Sequence, residues 1–210
     1  MTITRQKKGL ISISRHQEKT DITRARFLQA AEKIFARDGF EAAKLEEIAA
    51  DAGYTRGAFY ANFDTKEDLF LALLEREISS RIANLRKHIA KYERPSDKLS
   101  ALRDFWLDMC LDRRWSLLAL EFKLFAVRHP EVKTRLVTMH RRLVSSGVEL
   151  LEQIMDGLGR KLPVSAHAVG IAFFVLSSGL TMEHMLDRSV MSEETVRKLL
   201  LTFFDAMMAG

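Results

Sequence analysis

Arg56, Gly57 and Tyr60 fall at i, i+1 and i+4 of the segment TRGAFYANF, residues 55–63. Each type suits one task in gripping a nucleic acid. An arginine fork pairs with O6 and N7 of guanine, so Arg56 is the expected base reader. Gly57 has no side chain, which lets the backbone come close to base edges. The hydroxyls of Thr55 and Tyr60 suit phosphate oxygens, contacts that fix register without reading sequence. Ala58 either touches a thymine methyl or packs inward. This is recognition chemistry, not bond-making. The six histidines (16, 88, 129, 140, 167 and 184) are scattered, and Glu183-His184 lacks the second histidine of a metal-binding helix motif. With no glycine-rich phosphate loop and no nucleophile elbow, neither an enzyme nor a cofactor or metal site is expected.

The elements that must position these groups are legible around them. Residues 44–63, KLEEIAADAGYTRGAFYANF, read as two short helices. Leu45, Ile48 and Ala49 give the first an apolar face at i, i+3, i+4 spacing. Gly53 permits the positive φ that ends it. Thr55 is suited to cap the second, whose inner stripe is Phe59 and Phe63. Arg56, Gly57, Tyr60 and Asn62 then face outward, as in a helix-turn-helix laid in a major groove. An ordinary helical hairpin with a solvated face would show the same local pattern, so the flanks matter. Upstream, residues 23–40 form a third amphipathic helix with Phe27, Ala30, Ala31, Ile34 and Phe35 on one side. Downstream, Thr65 and Asp68 stand as N-cap and N3 of a capping-box-like start to a long helix.

In this order the motifs resemble the DNA-binding domain of the tetracycline-repressor (TetR) family of bacterial transcription regulators. The shared run is Gly39-Phe40, then IAxxAG at 48–53, GAxYxxF at 57–63 and KExL at 66–69, covering about a quarter of the chain. The resemblance supports a contact set of Thr23 and Arg24 at the start of the first helix, Lys44 opening the second, Thr55, Arg56, Gly57, Tyr60 and Asn62 in the reading segment, and Lys66 opening the fourth. Two departures are plain. Ala43-Lys44 stands where the family has paired hydroxyls, which loses a cap and gains a cation. Ala61-Asn62 stands where histidines are common, so operator preference does not transfer from relatives.

The rest of the 210-residue chain suits a small domain joined to a larger helical one. Apolar residues make up 47%, and the only prolines, at 95, 130 and 163, lie where helices break. Strand signals are nearly absent, so the fold is all-α, with nine helices expected. The expected division is a basic, flexible extension over 1–20, a helix-turn-helix domain over 21–64, and a ligand-binding and dimerisation domain over 65–210. The net charge is +5; residues 1–20 alone carry five basic side chains against one acidic, a net of +4, so that segment is either an arm along DNA or a charged leader. It is not a secretory signal, because no apolar run follows the charges. The stretch 162–182 lacks Asp, Glu, Lys and Arg but is broken by proline, serines and a histidine, so a buried helix suits it better than a membrane span. The lone Cys110 rules out an internal disulfide framework and fits a reducing cytoplasm, as a small buried hydrophobe rather than a redox sensor.

One reading segment supplies few contacts, so a homodimer on a palindromic or near-palindromic double-stranded operator is expected. The eighth and ninth helices are the expected interface, through Gly170, Ser178 and Gly179 on one and Leu199, Leu200, Phe203, Phe204 and Met207 on the other. The resemblance further implies a small-molecule pocket among helices four to eight. Its candidate lining is Trp106, Met109, Cys110, Phe122, Phe125, Met139, His140, Phe174 and Ser177, residues that a plain core would also use. Glu121 and His140 are candidates to orient a polar group. The aromatic content suggests an apolar or amphipathic ligand. The expectation is therefore a cytoplasmic, ligand-responsive repressor; the alternative is a helical ligand- or partner-binding dimer that has lost specific DNA binding.

Overall fold

A computed structural model describes the backbone of residues 2–209 and the side chains of residues 17–209. Among the described residues there are nine helices and no strand: α1 (Thr2–Ala42), α2 (Leu45–Asp51), α3 (Arg56–Tyr60), α4 (Lys66–Ile89), α5 (Pro95–Leu111), α6 (Arg113–Arg128), α7 (Pro130–Leu158), α8 (Ala166–Leu186) and α9 (Glu193–Met208). The helical geometry of α1 is interrupted at Gly39. α1 begins at Thr2, not at Thr23. The extension expected over 1–20 falls mostly on residues 1–16, whose side chains lie outside the described residues.

The chain divides into two compact units, 1–74 and 75–210, with the division inside α4. The first unit thus ends later than the expected 64, because Leu69, Phe70, Leu73 and Leu74 of α4 are buried in it. Its centre is aromatic. Phe27 of α1 meets Phe59 and Phe63 edge-on at 5.7 and 6.2 Å between ring centres, and stacks on Tyr54 at 5.5 Å. Burial of these rings fixes α3 against α1; a phenylalanine emptied from such a site costs about 3–5 kcal/mol.

The caps follow the expected chemistry at most helix starts. Thr55, Ser165 and Ser192 each accept a backbone N–H three residues on, and Thr65 accepts the Asp68 N–H at 3.0 Å. α5 starts with Pro95 in its first turn and Arg94 as an N-cap without a side-chain bond. At α6 the cap is Asp112, accepting from the Trp115 N–H at 3.1 Å.

The second unit is a helical core in which α5 packs on α7 and α9 and α8 packs on α7 and α9. Trp106, Phe173 and Phe204 meet at its centre, Phe173 stacking on Phe204 at 5.5 Å. α8 is long and apolar enough to cross a bilayer by length and composition alone, yet only 22% of its most apolar stretch is buried within the chain. Ala166, Val169, Phe173, Ser177 and Thr181 face inward. Ile171, Val175, Met182 and Leu186 lie exposed along the rest of the helix.

Candidate nucleic-acid interface and interior cavity

The turn between α2 and α3 depends on Gly53, whose φ of +77° is a left-handed value that side chains disfavour. Its N–H and that of Tyr54 close the end of α2 on Ala50 and Ala49 carbonyls. α3 leaves the turn with Thr55 as cap. Buried Phe59 anchors it from below, so the opposite face is exposed and carries Arg56, Gly57 and Tyr60. A Cβ at Gly57 would meet only Thr55 Oγ1, at 3.7 Å. Nothing inside the unit requires glycine there.

Arg56 is not idle. Its Nη1 donates to Glu46 Oε1 of α2 at 2.7 Å and its Nη2 to the Tyr60 hydroxyl at 3.2 Å, with the guanidinium 5.6 Å from the Tyr60 ring centre. The Tyr60 hydroxyl and the Glu46 carboxylate raise the Arg56 pKa above its ordinary value. Sequence reasoning missed Glu46, an exposed acid in the first turn of α2. Lys44 is exposed at the N-cap of α2 and makes no side-chain cap, as the loss of a hydroxyl there implied.

Three expected contacts change role. Thr23 lies inside α1, so its N–H is not at a helix start. Its hydroxyl donates to the Lys19 carbonyl at 2.9 Å and is hydrogen-bonded to the Tyr54 hydroxyl at 3.3 Å. Lys66 is engaged within the protein. Its ammonium donates to the carbonyls of Phe40, Glu41 and Ala43 at 2.8, 3.1 and 3.2 Å, closing the end of α1. Asn62 turns inward because it follows the C-cap Ala61, after α3 has ended. Its Nδ2 donates to the Ala58 carbonyl at 2.8 Å, and its Oδ1 is buried without a partner. Arg24 donates to the Asn62 backbone carbonyl while its guanidinium lies 4.1 Å over Phe63, joining α1 to the end of α3.

The second unit holds an apolar cleft of about 100 Å³ that is partly open to solvent. Of the expected lining, Trp106, Met109 and Phe174 face it. Cys110 and Ser177 instead line a smaller void beside it. There the Ser177 hydroxyl donates to the Phe174 carbonyl at 3.2 Å, and burial pushes the Cys110 thiol up to about 12 although the Ser177 hydroxyl pulls the other way. Phe122, Phe125, Met139 and His140 line neither of these spaces. Phe122, Phe125 and Met139 are buried in helix packing. His140 stands edge-on to Phe174 at 4.8 Å; burial first, then the nearby Lys123 charge, lowers its pKa.

Sequence reasoning missed the cleft's one charged lining residue, Arg81 of α4. Its Nη2 donates to Asp112 Oδ2 at 2.8 Å, its guanidinium lies 4.2 Å over the Trp115 ring, and its Nε is buried without a partner. Burial pushes the Asp112 carboxyl up, but Arg81 and the Trp115 and Arg114 amides outweigh it and hold the carboxyl below its ordinary value. Among the described residues no group of three His, Cys, Asp or Glu side chains is placed to hold a metal ion.

Part of the expected dimer face is internal. Leu200 and Phe204 are core residues, 0% and 2% exposed. Gly170 packs on α7, where an added Cβ would come within 2.8 Å of Val148. Ser178 accepts from Lys123 Nζ at 2.9 Å and donates to the Phe174 carbonyl at 2.7 Å. Phe203 and Met207 are partly buried, whereas Gly179 and Leu199 are exposed. A partly buried apolar residue on a two-faced helix cannot be assigned to core or surface from spacing alone.

A short, glycine-turned helix pair that presents Arg, Gly and Tyr on an open face has the form of a helix-turn-helix. The chain belongs to the tetR family of bacterial regulatory proteins: that family's model matches residues 27–73, and the model for the BetI-type transcriptional repressor C-terminal domain matches residues 95–209. It is 34% identical over 90 residues to the HTH-type transcriptional regulator ArpR of Pseudomonas putida, a match covering 43% of this chain and 40% of that one. It is 41% identical over 83 residues to AcrR of Shigella flexneri, covering 39% and 37% respectively. The fold matches a transcriptional regulator of Saccharomonospora viridis, solved in complex with choline, at a TM-score of 0.72 and 17% identity, over 87% of this chain and 95% of that one.

Proposed function

We propose that this protein is a cytoplasmic homodimeric repressor that grips a palindromic or near-palindromic operator and releases it when a small apolar or amphipathic molecule occupies the cleft. The observation that carries the DNA reading is the exposed face of α3, where Arg56 and Tyr60 flank a glycine that the fold itself does not need. Arg56 is the base reader, and Thr55, Tyr60, Lys44 and Arg24 supply phosphate contacts.

Two further features support the rest of the reading. The uncovered apolar stripe of α8, with exposed Gly179 on the same helix and Leu199 on α9, suits a second copy of the chain. The cleft is lined almost wholly by apolar groups with a single charged one, the make-up of small-molecule sites. By linkage, an effector that weakens DNA binding is itself weakened by DNA to the same factor.

Selection of bound duplexes from a random pool tests the proposal. Enrichment of a two-fold symmetric site supports it. A pool that stays random overturns it and leaves a helical ligand- or partner-binding dimer as the reading.

A further inference from the structure

We infer that the cleft takes an amphipathic anion, an apolar body ending in a single acidic oxyanion head, and that Arg81 receives the head. The inference rests on the reading of the cleft as a ligand site and adds the charge and the recognising residue. Arg81 is the only charged side chain in the cleft's lining. Its side chain is 17% exposed, and it is held on two sides, by Asp112 at Nη2 and by the face of Trp115. These contacts fix the guanidinium plane and leave the Nε–H buried without an acceptor. A guanidinium set in an apolar wall binds a ligand oxygen at greatest advantage when that oxygen is charged, because a charged acceptor makes the stronger bond.

The two rival ligand classes fit less well. Five aromatic side chains line the cleft, which alone would suit a quaternary ammonium group. No carboxylate lines it, however, and the nearby Asp112 is already engaged by Arg81, so a cation would find no free counter-charge there. A neutral apolar molecule would fill the space and leave Nε as it is. Only an acidic head uses both the apolar wall and the one charged side chain set in it.

The test is isothermal titration of the full-length protein with three probes of equal chain length, decanoate, decanol and decyltrimethylammonium, each below its micelle threshold near neutral pH. Decanoate is expected to bind about tenfold or more tighter than either of the others, the scale of one charge-assisted hydrogen bond. Arg81→Gln is expected to bring decanoate down to the decanol level and leave decanol unchanged, with Arg81→Lys in between. Decanol or the ammonium probe binding wild type as tightly as decanoate overturns the inference while leaving the cleft a ligand site, and this comparison needs no variant to fold. Failure of all three to bind overturns the inference together with the ligand-site reading.

Discussion

Arg56 and Glu46 form an ion pair 2.7 Å long across the turn of the helix-turn-helix, so the proposed base reader is held by a carboxylate of the preceding helix when no DNA is present. Both side chains are more than half exposed, 58% and 62%, so the pair is weak and readily screened. Entering a major groove requires Arg56 to leave Glu46 and brings Glu46 close to phosphates. Glu46→Gln is therefore expected to tighten DNA binding by at most severalfold at low salt, with the gain vanishing at high salt. Fluorescence anisotropy across a salt series checks this. An unchanged low-salt affinity would show that the pair restrains nothing.

Gly57 separates folding from binding. Because its Cβ position is open and its backbone is helical, Gly57→Ala is expected to leave the fold intact and to stabilise it by up to about 0.5–1 kcal/mol through lost backbone freedom. The added methyl would stand between α3 and the base edges, so DNA affinity should fall. Thermal melting and anisotropy on the same sample read the two effects. Unchanged DNA affinity would mean that this face of α3 does not meet DNA.

Lys66→Gln should behave in the opposite way. Removing an ammonium that satisfies three carbonyls is expected to cost about 1–3 kcal/mol of stability. The salt dependence of DNA binding should not change, whereas a lost phosphate contact would lower the slope of log K against log salt by about one. Denaturant titration and the salt series distinguish the two roles.

The α8 stripe carries the dimer proposal. Val175 is 62% exposed at its centre, and a two-fold axis there would bring two copies of any charge close together. Val175→Glu is expected to convert dimer to monomer in sedimentation velocity with its helix content retained. A dimer that persists would place the interface elsewhere.

The helices and the reading segment were legible in the sequence because local patterns decide them. Phe59 and Phe63 at i, i+4, Gly53 in the turn and the hydroxyls of Thr55 and Thr65 act within a few residues of themselves. What the sequence left hidden depends on long-range pairing. Lys66 meets carbonyls 23 to 26 residues back in the chain, and Arg81 meets Asp112 31 residues on. Neither distance leaves a periodic trace. The ligand lining suffered for a related reason. Trp106 and Phe122 are equally apolar and both sit on two-faced helices, and only the packing of α5 on its neighbours shows that the first meets the cleft and the second does not.

The most direct test of the central claim is anisotropy of wild type and Arg56→Ala on the selected operator and on random duplex over a salt series. Wild type is predicted to favour the operator strongly, and Arg56→Ala to lose that preference while keeping its salt-dependent affinity for random DNA. An Arg56→Ala protein that still discriminates the operator as well as wild type would contradict the assignment of sequence reading to α3.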